Sequence, residues 1–128
     1  MTYYFNRVLA CAFPEAVEKV TAALGREGFG VLTEIDVAAT LHKKLDVTFR
    51  PYKILGACNP ALAHQALQAE DKIGVMLPCN VIVQDAGNGR TEVAAINPLV
   101  AMDRVQNPKL TQIAEDVATR LERVIASL

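Results

Sequence analysis

The C-terminal segment carries an apolar stripe with the spacing of one helix face. Apolar residues recur every three or four positions from Leu110 through Val117 to Leu128, and charged residues such as Glu115 and Arg123 fall between them. A helix with this spacing has to bury one side against another layer of the fold. The stripe therefore requires a broad apolar surface built by the rest of the chain.

Three Asn-Pro pairs mark where helices begin. Asn accepts hydrogen bonds from the free N–H groups of a first turn, and Pro suits the first helical position because its missing N–H costs nothing there. The pairs Asn59-Pro60, Asn97-Pro98 and Asn107-Pro108 predict helices over 61–69, over 99–105 and from 109 to near the C-terminus. A further helix is predicted from Pro14 to the glycines at 25 and 28, and a short one over 38–45.

The apolar surface is supplied by segments of high β-propensity between these helices. We predict strands over 3–12, 30–37, 52–57, 75–85 and 91–96, with a hairpin at Gly87-Asn88-Gly89. Strands and helices do not alternate strictly, which favours an α+β fold over a parallel sheet. The expectation is a single domain, residues 1–128, with an antiparallel sheet of four to five strands. Helices cover one side, in β-α-β(4)-α order with short inserted helices.

Composition narrows the classes of function. Hydrophobic residues make up 52% of the chain, which excludes disorder, and 13 basic against 14 acidic residues give a net charge of -1. A chain without a basic excess is not expected to bind nucleic acid. Apolar runs stay well below the roughly 20 residues that span a bilayer, so no membrane partner is expected. Three cysteines, an odd and low number, fit reduced thiols in the cytoplasm better than a secreted disulfide framework.

Two cysteines are candidate catalytic residues. Cys58 stands directly before the Asn59-Pro60 helix start, where the helix dipole and free N–H groups stabilise a thiolate. Cys79 follows Pro78 at the start of a hairpin strand, and an antiparallel sheet can bring it near Cys58. The alternative is that both are inert core thiols, because cysteine is among the most buried residue types. Cys11, among aliphatic residues, is expected to be inert.

Charged residues on two strands form a second candidate group. Glu34 and Asp36 are two positions apart on one strand, so both project from the same face. They form either a paired-carboxylate site or a solvated face. Lys53 alternates with Ile54 on the next strand and is a candidate partner for a carboxylate or for the Cys58 thiolate.

Three stretches resemble the signatures of one family. They are residues 29–36 (FGVLTEID), 52–60 (YKILGACNP) and 77–81 (LPCNV). Together they resemble the uncharacterised prokaryotic family known as domain of unknown function 302, over nearly the whole chain. The resemblance implies a single α+β domain similar to the TATA-binding-protein-like arrangement, and a homodimer. It places Cys58 and Cys79 in signature stretches, with Glu34, Lys53 and Asn59 beside them as candidate ligand-binding residues, and it implies no established activity.

The leading hypothesis is a cytoplasmic, homodimeric domain for small-molecule or thiol chemistry, with Cys58 as reactive thiolate and Cys79 as resolving thiol or second ligand. One alternative is a non-enzymatic module that holds a metal or haem through these thiols. Another is a structural dimer with inert cysteines. The sequence names no cofactor, no metal ligand set and no substrate. The separation and exposure of the two sulfur atoms distinguish the three hypotheses.

Overall fold

A five-stranded antiparallel sheet with the strand order β1-β5-β4-β3-β2 organises the chain. The computed structural model describes residues 2–128. The strands are β1 (Tyr4–Leu9), β2 (Gly30–Asp36), β3 (Tyr52–Cys58), β4 (Cys79–Gly87) and β5 (Arg90–Ile96). The helices are α1 (Phe13–Arg26), α2 (Val37–Leu45), α3 (Pro60–Ala69), α4 (Pro98–Ala101) and α5 (Pro108–Ala126), with 3-10 turns at Ile73–Met76 and Asp103–Val105. The predicted fold class, an α+β antiparallel sheet covered by helices, is confirmed.

Local capping chemistry starts three of the helices where the sequence predicts them. The side-chain oxygens of Asn59, Asn97 and Asn107 each accept a hydrogen bond from a backbone N–H in the first turn of α3, α4 and α5. A proline occupies the first turn in each case. Because each cap fixes the direction in which its helix leaves the preceding residue, Asn59 also fixes how the chain turns away from the end of β3.

The core lies between the sheet and the layer formed by α1 and α5. In β5 and in β4 up to Val83, every second residue is buried, including Val81 and Val93. These side chains belong to one apolar cluster with Val20 of α1 and Leu121 of α5, all fully buried. The apolar stripe of the C-terminal segment is thus the face that packs on the sheet.

The fourth strand begins later than predicted. The sequence predicts this strand from residue 75, yet residues 75–77 belong to a 3-10 turn and a connection, and β4 begins at Cys79. The proline before it has no N–H to donate to a neighbouring strand, so pairing starts only after Pro78. Val75 is consequently 89% exposed. The helix expected over 99–105 is also interrupted, since α4 ends at Ala101 and a separate 3-10 turn follows.

The opposite face of the sheet carries a mixed surface. Between the buried positions of β4 and β5 lie Ile82, Ala94 and Ile96, all half-exposed. With Tyr4 and Tyr52 they line a shallow groove of about 410 Å³. The neighbouring helix α2 contains no buried residue. This groove and α2 both leave apolar side chains without full cover.

Candidate functional site

The sheet brings Cys58 and Cys79 together at one end of β3 and β4. The antiparallel register pairs Ala57 with Cys79, so Cys58 is one residue beyond the direct partner. From standard strand spacings, the Cα atoms of Cys58 and Cys79 are roughly 6 Å apart. Both cysteines line the same small cavity. The proximity that the sequence alone left open is therefore present.

This cavity, which we call the thiol cavity, is lined by apolar side chains from both helical neighbours of the strands. Phe29, Leu62 of α3 and Val117 of α5 line it together with the two cysteines. Its volume is about 30 Å³. A water molecule needs about 10–15 Å³ by this measure, and small organic ligands occupy pockets of about 300–1,000 Å³. The thiol cavity therefore has room for a single ion or water molecule and is too small for an organic substrate.

The two thiols differ in access to solvent and in ease of ionisation. Cys79 is only 8% exposed, whereas Cys58 is partly exposed. Burial and, as the smaller cause, a charge on Cys58 together raise the pKa of the Cys79 thiol from the ordinary 9.0 to about 11. Cys79 is thus protonated at neutral pH, because its thiolate would lose most of its hydration. Cys58 is the thiol that solvent reagents reach.

Asn59 serves the local structure beside the thiols. Its Oδ1 accepts a hydrogen bond from the backbone N–H of Leu62 at 3.2 Å, which caps α3. Its Nδ2 packs against Gly28, where an added Cβ would stand 2.9 Å from that nitrogen. The N–H of Leu62 therefore donates to Asn59 and is not free to stabilise a thiolate on Cys58. Only the helix dipole and the other N–H groups of the first turn remain.

Glu34 and Lys53 come together but lie away from the thiols. Lys53 Nζ stands 2.6 Å from Glu34 Oε1, and both side chains remain partly exposed. Lys53 is five residues before Cys58 on β3, a separation of about 16 Å at the usual rise of a strand. The structure therefore does not bring Lys53 to Cys58 and supplies no direct charge effect on that thiol. Asp36 caps α2 by accepting from the N–H of Ala39 at 2.9 Å.

Close packing around β3 depends on Gly56, two residues before Cys58. An added Cβ at Gly56 would collide with Thr33 Oγ1 of the neighbouring strand, and it would stand 2.7 Å from Pro78 Cγ. The missing side chain lets Pro78 rest against β3 immediately before Cys79. Gly56 thus allows the segment that carries Cys79 to pack closely against β3.

Sequence reasoning missed Met102, which also lines the thiol cavity. It follows α4, far along the chain from both cysteines, and no local motif connects them. It also missed the groove on the opposite face of the sheet. There, a usable signal was that Ile82, Ala94 and Ile96 are apolar although they alternate with the buried positions of their strands.

Cys11 is separate from the thiol cavity. It is 8% exposed, and its backbone carbonyl accepts a hydrogen bond from the buried Thr91 hydroxyl at 2.9 Å. Across residues 2–128, no group of three or more His, Cys, Asp or Glu side chains is placed to hold a metal ion. In the same part of the chain, every helix is too short or too polar to cross a membrane.

Comparison with known proteins agrees with this architecture. The family model described as domain of unknown function DUF302 matches residues 5–128. The crystal structure of an uncharacterized conserved protein DUF302 from Bacillus stearothermophilus is similar over 98% of both chains, with a TM-score of 0.90 and 29% sequence identity. No curated protein matches this sequence.

Proposed function

The chain belongs to the DUF302 family, and we propose that it is a thiol-chemistry domain in which Cys58 is the reactive group and Cys79 its buried partner. The observation that carries the proposal is the shared thiol cavity, lined by one partly exposed and one buried cysteine. Inert core cysteines have no need of a neighbouring thiol or of a cavity. The pair therefore favours chemistry at sulfur over a purely structural role.

The small volume of the thiol cavity determines which chemistry fits. A space of about 30 Å³ does not hold a haem or an organic substrate. A reagent must instead meet Cys58 from solvent. With a small-molecule disulfide, the Cys58 thiolate attacks one sulfur, the S–S bond breaks, and the other half leaves as a thiolate. The product is a mixed disulfide on Cys58.

Cys79 is poorly placed to resolve that mixed disulfide at neutral pH. Its raised pKa, about 11, keeps it protonated, and only a thiolate attacks a disulfide. The directions of the side chains also disfavour an internal disulfide. Ala57 is the direct strand partner of Cys79, so their side chains lie on the same face of the sheet. The side chain of Cys58, the next residue, leaves β3 on the other face. We therefore expect the mixed disulfide to accumulate rather than an internal Cys58–Cys79 bond.

Peptide mass spectrometry after exposure of the folded protein to oxidised glutathione tests this proposal. We expect glutathione on Cys58, with Cys11 unmodified on the same time scale. The variant Cys58→Ser should lose the modification, and Cys11→Ser is the matched control that should retain it. Equal modification of Cys11 and Cys58 would contradict the proposal and favour inert cysteines.

We also propose that the protein is a homodimer that pairs through the groove on the open face of the sheet. The face presents Ile82, Ala94 and Ile96, half-exposed and clustered, and a self-complementary apolar patch suits a two-fold interface. Light scattering should give twice the chain mass of 13.9 kDa. Ile82→Glu should shift the mass toward the monomer, and Val75→Glu, at an exposed site elsewhere, should not. A monomeric parent protein would contradict the proposal.

A cytoplasmic location completes the proposal. All three cysteines are free thiols, which suits a reducing compartment. Cell fractionation with an antibody against the chain tests this part. We expect the protein with the cytosolic markers, and recovery with the membrane or secreted fraction would contradict it.

A further inference from the structure

Three sulfur-containing residues from distant parts of the chain line the thiol cavity. Cys58 ends β3, Cys79 begins β4, and Met102 follows α4, and all three line the same space of about 30 Å³. The backbone at Met102 is held by a hydrogen bond from its N–H to the carbonyl of Pro98 at 2.9 Å. The remaining wall is apolar, apart from Asn59, whose side-chain oxygen caps α3.

The ligand set restricts the class of ion that this cavity accepts. Thiolate and thioether sulfur are soft ligands and select Cu(I), whereas imidazole and carboxylate groups suit harder ions. Structural zinc takes four Cys or His ligands, and iron–sulfur clusters are held mostly by four cysteines. Among residues 2–128, the side chains lining this cavity include no His, Asp or Glu. Its volume suits one ion rather than a cluster.

We infer that the thiol cavity binds a single Cu(I) ion through the sulfur atoms of Cys58, Cys79 and Met102. This inference rests on the proposed function, because it needs Cys58 and Cys79 to act as a pair. On binding, each cysteine releases its proton to solvent and forms a sulfur–copper bond, and Met102 donates a lone pair without losing a proton. The copper remains Cu(I), and no electron is transferred.

An ion joins these two cysteines more readily than a disulfide does. A disulfide requires Cβ atoms about 3.5–4.5 Å apart. Ala57 is the direct strand partner of Cys79. Because side chains alternate along a strand, the Cys58 side chain leaves β3 on the face opposite to Ala57. A metal ion lies about 2.3 Å from each thiolate in zinc sites of this kind, so an ion spans a wider gap. The cation also neutralises the buried Cys79 thiolate, which the apolar wall otherwise disfavours.

Competition for Cu(I) under anaerobic conditions tests the inference. The reduced full-length chain is titrated into the coloured Cu(I) complex of bicinchoninic acid, and loss of colour reports transfer. We expect one Cu(I) per chain. Met102→Leu, which keeps the apolar volume but removes the sulfur, should weaken binding at least tenfold. Met76→Leu, at a partly exposed methionine outside the cavity, is the matched control and should bind as the parent does.

Further variants and spectroscopy complete the test. Cys58→Ser and Cys79→Ser should each abolish transfer, and Cys11→Ser should not change it. X-ray absorption at the copper edge should show three sulfur neighbours in the parent and two in Met102→Leu.

The inference is overturned if the parent removes no Cu(I) from the complex, if Met102→Leu binds as tightly as the parent, or if Zn(II) displaces the bound ion. Should copper binding fail while Cys58 still forms the glutathione mixed disulfide, the proposed function stands and this inference alone falls.

Discussion

Burial of Cys79 predicts a specific loss of stability at alkaline pH. The folded protein holds this thiol with a pKa of about 11, against the ordinary 9.0 in the unfolded chain. Each unit of difference corresponds to about 1.36 kcal/mol, so two units give about 2.7 kcal/mol. The unfolded chain loses the proton first as the pH rises, and its ionisation favours unfolding. The stability linked to this thiol is therefore fully present below pH 9 and is lost as the pH approaches 11.

Urea unfolding under reducing conditions at pH 8 to 11 measures the effect. Lys and Tyr residues titrate in the same range, so the comparison is between the parent and Cys79→Ala at each pH. Cys79→Ala should be less stable at pH 8 because of the small cavity it leaves, but its free energy of unfolding should fall less with pH. We expect the difference between the two proteins to change by about 2–3 kcal/mol over this range. Parallel curves would refute the reasoning that Cys79 is buried and resists ionisation.

Three other changes test the fold and the layout of the site. Leu121→Ala removes a fully buried side chain of α5 and should lower the free energy of unfolding by about 3–5 kcal/mol in urea titration, whereas Glu115→Ala should change it little. Gly56→Ala should lower the melting temperature in calorimetry, because the added Cβ collides with neighbouring atoms, while Gly74→Ala has open space and should not. Lys53→Gln should leave the alkylation rate of the partly exposed cysteine unchanged, because the lysine pairs with a carboxylate at the other end of its strand. A clear change in that rate would place the lysine near the thiols.

Elements with strong local signals were predicted well. Asn59, Asn97 and Asn107 carry their own capping groups, so the sequence shows where α3, α4 and α5 begin. The start of β4 was misplaced because the apolar run before Pro78 reads as a strand, and only the missing N–H of that proline excludes it from the ladder. The interruption after α4 has no local marker as clear as a proline.

The site was predictable in its residue types but not in its arrangement. Cys58 before a helix start suggested a reactive thiol, yet its distance to Cys79 depends on the β3–β4 register, which the residues alone do not fix. The suggested role for Lys53 overlooked strand length, since five residues of extended chain carry it about 16 Å from the thiol. Met102 reaches the cavity only through the packing of the segment after α4, which no pattern in the sequence encodes.

Alkylation of the folded protein with iodoacetamide at neutral pH, followed over time by peptide mass spectrometry, tests whether Cys58 and Cys79 form a paired thiol site. We expect Cys58 to be modified much faster than Cys11 and Cys79, because it alone is partly exposed while the other two are 8% exposed. We also expect Cys79 to react faster in Cys58→Ser than in the parent at alkaline pH, because burial still raises its pKa but the smaller contribution from the Cys58 charge is gone. Equal, slow modification of Cys58 and Cys11, with Cys79 unaffected by the change at position 58, would contradict a paired thiol site.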